Sequence, residues 1–85
     1  MLIMWDIEAW TDYVNLQSQD KKTVKRINLL IKDIMRNGVL DGIGNPEALK
    51  YDLSGWYSRR IDAKNRLVYK IVDNTIKIAQ CKEHY

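Results

Sequence analysis

The sequence predicts an α+β domain in which two N-terminal helices pack on a mainly antiparallel β-sheet, in the order β-α-α-β-β-β-β. Up to Asn37 the apolar residues recur at steps of three and four, which is the period of a helix. After Pro46 they recur at steps of two, which is the period of a strand. Residues 38–46 hold three of the four glycines and the only proline, so they form a loop, either beside a site or as a plain connector. We expect all 85 residues to form one domain.

The N-terminal part begins with a short apolar strand, Leu2–Trp5, followed by the two helices. Asp6 and Asp20 are suitable N-caps, because a carboxylate accepts hydrogen bonds from the free amides of the first turn. The second helix has the strongest periodicity in the chain, and Asn37-Gly38 is a typical helix end. Its apolar stripe consists of Val24, Ile27, Leu30, Ile31, Ile34 and Met35. We expect the lysines and arginines off this stripe to form a solvated outer face.

Four strands are predicted after the loop, three of them rich in β-branched and aromatic residues. Two turn sequences separate these three, and the second turn, Asp73-Asn74, is short enough for a two-residue hairpin. The remaining strand comes first in the chain, is shorter, and precedes the turn at Ser54-Gly55. The predicted strands are Ala48–Tyr51, Trp56–Ile61, Arg66–Val72 and Thr75–Lys82, with the other turn at Asp62–Asn65.

The net charge of +3 is unevenly distributed along the chain. Residues 1–47 carry six Lys/Arg against seven Asp/Glu, whereas residues 48–85 carry eight against four. A local basic surface suits a polyanion such as nucleic acid, or an acidic protein partner.

One cysteine allows no internal disulfide, and no Cys/His cluster has the spacing of a metal site. We therefore expect no metal and no cofactor. The sequence has neither the features of a signal peptide nor an apolar run of membrane-spanning length. We expect a cytoplasmic protein with no membrane partner.

Four residues form a set suited to RNA cleavage: Glu47, Arg60, Arg66 and His84. A base removes the proton of the ribose 2′-hydroxyl, an acid protonates the departing 5′-oxygen, and cations stabilise the charge on phosphorus, without a metal. If Arg60 and Arg66 pair directly across their hairpin, their like charges imply an anion between them. Arg59 must then point to the opposite face from Arg60. The alternative interpretation is that the arginines are solvated strand positions and that His84 is an ordinary polar residue near the terminus.

The aromatic residues also have two interpretations. Trp56, Tyr57 and Tyr85 lie beside the basic residues and could stack on bases. Alternation along a strand directs one of Trp56 and Tyr57 into the core and the other outwards. The N-terminal aromatic residues occupy apolar-periodic positions and are expected in the core: Trp5, Trp10 and Tyr13.

The C-terminal half contains the run P-E-A-L-K-Y-D-L-S-G-W-Y-S-R-R-I-D-A-K-N-R-L-V-Y, and the chain ends in C-K-E-H-Y. The N-terminal half contains W-D-I-E-A-W-T-D-Y and D-K-K-T-V-K-R-I-N-L-L-I-K-D-I. Together these stretches resemble the YoeB-type toxins of bacterial toxin–antitoxin pairs, within the RelE/ParE superfamily of small α+β proteins. The resemblance covers essentially the whole chain.

The resemblance implies the toxin of a type II toxin–antitoxin system, acting as a ribosome-dependent mRNA endonuclease that cuts the A-site codon and halts translation. It implies Glu47 as the general base and His84 as the general acid. Arg66 and Arg60 would stabilise the charged phosphorane. The residues expected to contact the RNA are Lys50 and Tyr85 by resemblance, with Arg59 and Trp56 added from their place among the basic residues.

The implied partners are a YefM-like antitoxin, the ribosome with its mRNA, and a second copy of the chain in a homodimer. Two alternatives stay open. One is a ParE-like, non-enzymatic inhibitor of DNA gyrase on the same fold, and the other is a degenerate toxin that only binds its antitoxin and regulates transcription with it. The set Glu47, Arg66 and His84 favours the nuclease, because a topoisomerase inhibitor needs no acid–base pair.

Overall fold

Two helices cover one face of a five-stranded sheet in the computed structural model, which describes residues 1–83. The elements are β1 (Leu2–Trp5), α1 (Ile7–Gln19), α2 (Lys21–Asn37), β2 (Glu47–Ala48), β3 (Tyr57–Arg60), β4 (Arg66–Val72) and β5 (Thr75–Gln80). The strand order is β1-β5-β4-β3-β2, and only the β1–β5 pair is parallel. The predicted α+β fold with a mainly antiparallel sheet is confirmed.

Both helices begin at the predicted carboxylates. Asp6 Oδ1 accepts a hydrogen bond from the Glu8 amide at 2.9 Å, and Asp20 accepts from both the amide and the hydroxyl of Thr23. Helix α2 buries the predicted stripe, namely Val24, Ile27, Leu30, Ile31 and Ile34. Met35, the sixth residue of the stripe, is not part of the buried set, since it is 49% exposed.

The core lies between α2 and the facing side of β3, β4 and β5. Ile27, Leu30 and Ile34 of the helix pack there with sheet residues that include Leu67, Tyr69, Ile76 and Ile78, all at most 1% exposed. Burying each aliphatic side chain of this size contributes about 1.5–3 kcal/mol. This layer is the rigid support for the opposite side of the sheet, which we call the distal face.

Strand register decides which side chains lie on the distal face. Glu47 is opposite Ser58, Ser58 is opposite Val68, and Arg60 is opposite Arg66. Directly paired residues share a face, and residues two apart on a strand share it too. Glu47, Ser58, Arg60 and Arg66 therefore lie on the same side, away from the helices.

Three predicted strand boundaries need correction. Strand β3 covers Tyr57–Arg60 instead of Trp56–Ile61. The short strand covers Glu47–Ala48 instead of Ala48–Tyr51, because Tyr51 adopts a left-handed φ of 58° and starts a 3₁₀ turn over Tyr51–Leu53. The last strand ends at Gln80 instead of Lys82. Gln80 opposite Val68 is the last pair of the ladder, after a β-bulge between Val68 and Tyr69, and Glu83 then adopts a left-handed φ of 66°.

Trp10 does not lie in the core, since it is 47% exposed. It packs against Trp5, with ring centroids 5.7 Å apart, while Trp5 and Tyr13 are partly buried against the core. Across residues 1–83, neither helix combines the length and the apolar character that a membrane crossing requires.

Candidate active site

The hairpin of β3 and β4 brings the predicted arginines together. A tight turn joins the strands, because Asp62 Oδ1 accepts hydrogen bonds from the amides of Lys64 and Asn65, each at 2.8 Å. This turn fixes the register in which Arg60 and Arg66 are direct partners, which is the pairing considered from the sequence. Arg60 is exposed, whereas Arg66 is buried. The two arginines thus differ in exposure, with Arg66 held inside the site and Arg60 at its edge.

Arg66 contacts two other residues of the distal face. Its Nε donates a hydrogen bond to Ser58 Oγ at 3.0 Å, and its Nη2 lies 2.9 Å from Glu47 Oε1. Although this distance makes an ion pair, Nη2 has no well-aligned hydrogen bond to any residue in the described range 1–83. A buried guanidinium nitrogen in this state can still donate to an incoming anion. Glu47 and Arg66 therefore form the centre of the site.

The end of the described chain is anchored at the same place. The Glu83 amide donates to Asn65 Oδ1 at 2.7 Å, and the Arg66 amide donates to the Glu83 carbonyl at 3.2 Å. Gln80 Nε2 also donates to the carbonyls of Lys82 and Glu83. The backbone up to Glu83 is therefore tied to the start of β4. The predicted residues His84 and Tyr85 lie outside the described residues.

Two predicted RNA contacts, Lys50 and Trp56, lie in the segment that joins β2 to β3. Lys50 is exposed and, with Glu47, lines a cleft of about 330 Å³. Trp56 is half-buried, and Lys70 Nζ lies 4.3 Å from the centroid of its ring. This cation–π contact covers part of the ring. A base could stack on Trp56 only where the lysine leaves the ring open.

Arg59 is not on the surface, and its prediction as an RNA contact is wrong. It is 0% exposed and points to the helix-covered face, opposite Arg60. The three nitrogens of its guanidinium donate to five acceptors, so none of them is available to a ligand. The acceptors are the Tyr69 hydroxyl, Asp33 Oδ2, and the carbonyls of Gly38, Asp41 and Ile43.

The surroundings of Arg59 keep Asp33 charged and Tyr69 protonated. Burial acts to raise the pKa of Asp33, but hydrogen bonds from Arg59 and the Ile43 amide hold that pKa below its ordinary value. Burial raises the pKa of Tyr69, so its hydroxyl stays protonated and donates to the Val39 carbonyl at 2.6 Å. The result is a closed ionic network beneath the loop 38–46.

Sequence reasoning missed Ser58, Asp33 and Asn65. Strand alternation could have identified Ser58, because it is two residues before Arg60 and must share its face. Asn65 was predicted only as a turn residue. No sequence signal links Asp33 to Arg59, which is 26 residues further along the chain.

Comparison with known proteins gives a consistent result. A family model described as the YoeB-like toxin of bacterial type II toxin–antitoxin systems matches residues 5–85. Toxin YoeB of Escherichia coli (strain K12) is 48% identical over 85 residues, covering 100% of both chains.

Two solved structures from Staphylococcus aureus are also similar to this chain. The first is a YoeB-YefM complex, which is 55% identical with a TM-score of 0.94 and covers 100% of this chain and 99% of that one. The second is a YoeB dimer, which is 55% identical with a TM-score of 0.94 and covers 100% of this chain and 98% of that one. With its sequence, its fold and its family model in agreement, this chain belongs to the YoeB-like toxins of bacterial type II toxin–antitoxin systems.

Proposed function

We propose that this toxin is an endoribonuclease that cleaves mRNA in the ribosomal A site and so stops translation. The observation that supports this most directly is the Glu47–Arg66 pair on the distal face, with Nη2 and Oε1 2.9 Å apart. A carboxylate beside a buried guanidinium provides a proton acceptor next to a cation, which are two of the groups that metal-free RNA cleavage requires. The proposal takes the 85 residues as one toxin domain that works in the cytoplasm, where its target is.

In the proposed reaction Glu47 removes the proton of the ribose 2′-hydroxyl. The 2′-oxygen then forms a bond to the adjacent phosphorus, and the bond from phosphorus to the 5′-oxygen breaks. His84 gives a proton to this 5′-oxygen as it leaves. The products are a 2′,3′-cyclic phosphate on one fragment and a 5′-hydroxyl on the other, and no metal takes part.

The arginines supply the electrostatic part of the mechanism. Attack on phosphorus adds negative charge to the non-bridging oxygens, and fixed cations at this place lower the barrier. Arg66 is suited to this task because it is buried and already oriented by Ser58, so it loses little freedom when the phosphate arrives. Arg60 is its exposed cross-strand partner and would approach the same phosphate from the solvent side.

His84 is proposed for the acid role on two grounds. The family resemblance implies it, and its covalent neighbour Glu83 is hydrogen-bonded to the backbone of Arg66 at 3.2 Å. Lys50 and Trp56, with Tyr85, are proposed to orient the RNA.

The proposed macromolecular partners are the ribosome, a YefM-like antitoxin and a second copy of the chain. The similar Staphylococcus aureus proteins occur as a YoeB-YefM complex and as a YoeB dimer. In this chain, an apolar groove of about 590 Å³ runs between β1 and the helices. Large apolar side chains exposed together, such as Ile3, Trp10 and Met35, are typical of an interaction site, and we assign the groove to the homodimer. Its lining residues include Ile3, Trp5, Trp10, Tyr13, Ile31 and Met35.

A single assay separates the nuclease from its alternatives. Ribosomes programmed with a defined mRNA are incubated with the protein, and new 5′ ends are mapped by primer extension. We expect cleavage within the A-site codon that is lost in Glu47→Gln and in His84→Gln. The matched control is Glu8→Gln, which changes an exposed glutamate in the first turn of α1 and should leave cleavage intact.

Intact mRNA with the wild-type protein would contradict the proposal. If supercoiling by DNA gyrase is then inhibited, the protein is a gyrase inhibitor instead. If gyrase is unaffected while the antitoxin still binds, the chain is a co-regulator without toxin activity.

A further inference from the structure

We propose that Arg59 is a positioning residue for RNA cleavage. Together with Asp33 and Tyr69 it fixes the loop 38–46, and this loop determines where Glu47 lies. The inference rests on the role of Glu47 in the proposed function. Arg59 itself touches neither the RNA nor the reacting atoms, because it is fully buried on the helix-covered face of the sheet.

The guanidinium of Arg59 binds three carbonyls of this one loop. Nη2 donates to Gly38 and to Asp41, each at 2.7 Å, and Nη1 donates to Ile43 at 3.0 Å. These carbonyls belong to a segment without regular secondary structure, where no helix or sheet ladder provides partners. Arg59 therefore replaces the missing ladder and sets the path of the loop.

Asp33 and Tyr69 hold the same loop from two other elements. Asp33 of α2 accepts a hydrogen bond from the Ile43 amide at 3.0 Å and pairs with Arg59 Nη1. Tyr69 of β4 accepts from Arg59 Nε at 2.9 Å and donates to Val39. The loop passes so close that a Cβ built on Gly42 would lie 1.8 Å from Asp33 Oδ2. Little room is left for another loop path.

Glu47 depends on this loop because its own strand is very short. Strand β2 has two residues, and its register with β3 consists of Glu47 opposite Ser58 and Ala48 opposite Tyr57. On the C-terminal side, the Leu49 amide donates to the Trp56 carbonyl at 2.9 Å. On the N-terminal side the chain is held at Gly44, whose carbonyl accepts from the Arg60 amide at 2.7 Å. Before Gly44, from Gly38 to Ile43, the chain is held by the hydrogen bonds of Arg59, Asp33 and Tyr69.

A lysine cannot replace this function. Its ammonium is a single point on a flexible stem, whereas the guanidinium donates from three nitrogens in fixed directions. Arg59→Lys keeps the charge opposite Asp33 but cannot hold Gly38, Asp41 and Ile43 together. The variant is therefore expected to fold with a displaced or mobile loop.

The first test measures the position of Glu47 without any RNA. In Arg59→Lys, nuclear magnetic resonance should show shifted backbone and side-chain carboxyl signals of Glu47. Hydrogen exchange of the Ile43 amide should accelerate about tenfold or more, because the loop can then open without breaking the hydrogen bonds of Arg59. The controls are Ile76→Val and Ile76→Ala in β5, which β4 separates from the strand of Arg59, and they bracket the loss of global stability. They should leave the Glu47 signals in place. Unchanged Glu47 signals and Ile43 exchange in Arg59→Lys would overturn the inference.

The second test is a kinetic double-mutant cycle with programmed ribosomes under single-turnover conditions. Arg59→Lys should reduce the cleavage rate about tenfold to a hundredfold, because a small misplacement of a reacting group has an effect of this size. In the Glu47→Gln background the same substitution should change the residual rate less than about threefold, because residues that act as a unit are not additive. Ribosome binding should be unchanged.

If Arg59→Lys reduces the cleavage rate by the same factor in the wild-type and Glu47→Gln backgrounds, its effect is a general loss of stability. That result would contradict a positioning role. If Glu47→Gln alone cleaves like the wild type, the proposed role of Glu47 fails, and the resonance experiment still decides whether Arg59 positions the loop. If Arg59→Lys does not fold, Tyr69→Phe serves instead, because it deletes only the hydroxyl between Arg59 Nε and the Val39 carbonyl. It should produce the same Glu47 shifts at smaller size, and their absence would count against the inference.

Discussion

Arg66 and Glu47 form an ion pair whose two members differ in exposure: the arginine side chain is 7% exposed and the glutamate side chain is 54% exposed. The buried guanidinium of Arg66 is held in place by Ser58, whose Oγ accepts a hydrogen bond from Nε at 3.0 Å. The carboxylate lies at the surface, where a ribose can reach it. This asymmetry is consistent with a fixed electrostatic group beside an accessible base.

Arg66→Lys should separate the charge of this residue from its geometry. Lysine keeps the positive charge but cannot donate to Ser58 and reach Glu47 with a rigid fork. We expect the single-turnover cleavage rate to fall about a hundredfold or more, as for the loss of a preorganised donor. Arg36→Lys, at the exposed end of α2, is the matched control and should cleave normally. Full activity in Arg66→Lys would mean that its charge alone suffices.

Gly42→Ala should destabilise the protein more than Gly55→Ala. Both glycines have a left-handed φ, 116° and 93°, so alanine at either position costs about 1–2 kcal/mol of strain. Only at Gly42 would the added methyl meet Asp33, whereas nothing lies within 4 Å at Gly55. We expect the free energy of unfolding, measured in urea, to fall by about 1–3 kcal/mol more for Gly42→Ala. Equal losses would show that the Asp33–Arg59 pair yields easily.

Acid should weaken the fold through Asp33. Its pKa in the folded state lies below the ordinary 3.8, because hydrogen bonds from Arg59 and the Ile43 amide outweigh the effect of burial. The unfolded chain therefore takes up a proton first as the pH falls. The stabilisation from Asp33 is present above about pH 4 and is lost as the pH falls through its folded pKa.

Chemical unfolding at several pH values should show a smaller loss of stability below about pH 4 in Asp33→Asn than in the wild type. Ile76→Val, in contrast, should lower stability by the same amount at every pH. An unchanged pH slope in Asp33→Asn would contradict the assignment to Asp33. The pKa values of Asp20 and Asp62 are lowered as well, so part of the slope should remain.

Cys81 should be unreactive in the folded protein. The residue is 1% exposed, its Sγ lies 3.4 Å from the Ala9 carbonyl, and burial raises the pKa of the thiol from 9.0 to about 11. Iodoacetamide at about pH 8 should leave the native chain unmodified and label it after unfolding, as mass spectrometry can measure. Labelling of the native protein as fast as the unfolded chain would contradict this.

The same thiol should limit alkaline stability. Since the folded pKa of Cys81 is raised, its protonated form favours the fold, and this contribution is complete below pH 9.0 and lost as the pH rises towards about 11. Cys81→Ala should therefore have a flatter decline in stability across this range. A decline as steep as in the wild type would assign it to another group.

Trp10→Glu should weaken the proposed homodimer. Trp10 is exposed and lines the apolar groove between β1 and the helices, so a carboxylate there would have to be desolvated on association. We expect a shift towards monomer in sedimentation velocity at concentrations on the order of micromolar. Leu29→Glu is the control, because Leu29 is equally apolar and exposed but does not line the groove. A dimer that survives Trp10→Glu would place the interface elsewhere.

Local signals in the sequence predicted most of the fold. The caps at Asp6 and Asp20 involve contacts within three residues, and the Arg60–Arg66 pairing depends on a tight turn. The prediction for Arg59 failed for a physical reason. Alternation shows that Arg59 and Arg60 face apart, but it does not show which face the helices cover. That is decided by contacts across the chain, such as the one with Asp33.

The ends of β2 and β5 were misplaced for a similar reason. The left-handed conformations of Tyr51 and Glu83 stop strands whose composition would allow them to continue. At the site, the register brought Glu47, Arg60 and Arg66 to one face as the chemistry of the set requires. The participation of Ser58 and Asn65 depends on side-chain contacts that the hydrophobic pattern does not encode.

Asn65 gives the hairpin turn a second task. Its Nδ2 donates to the Asp62 carboxylate within the turn, at 3.0 Å and 3.1 Å, while its Oδ1 accepts the Glu83 amide at 2.7 Å. An idealised hairpin grafted between Arg60 and Arg66 could keep the strands paired and yet release the chain end from the sheet. Replacing this turn is therefore a way to inactivate the toxin without unfolding it, although the turn is not part of the proposed catalytic set.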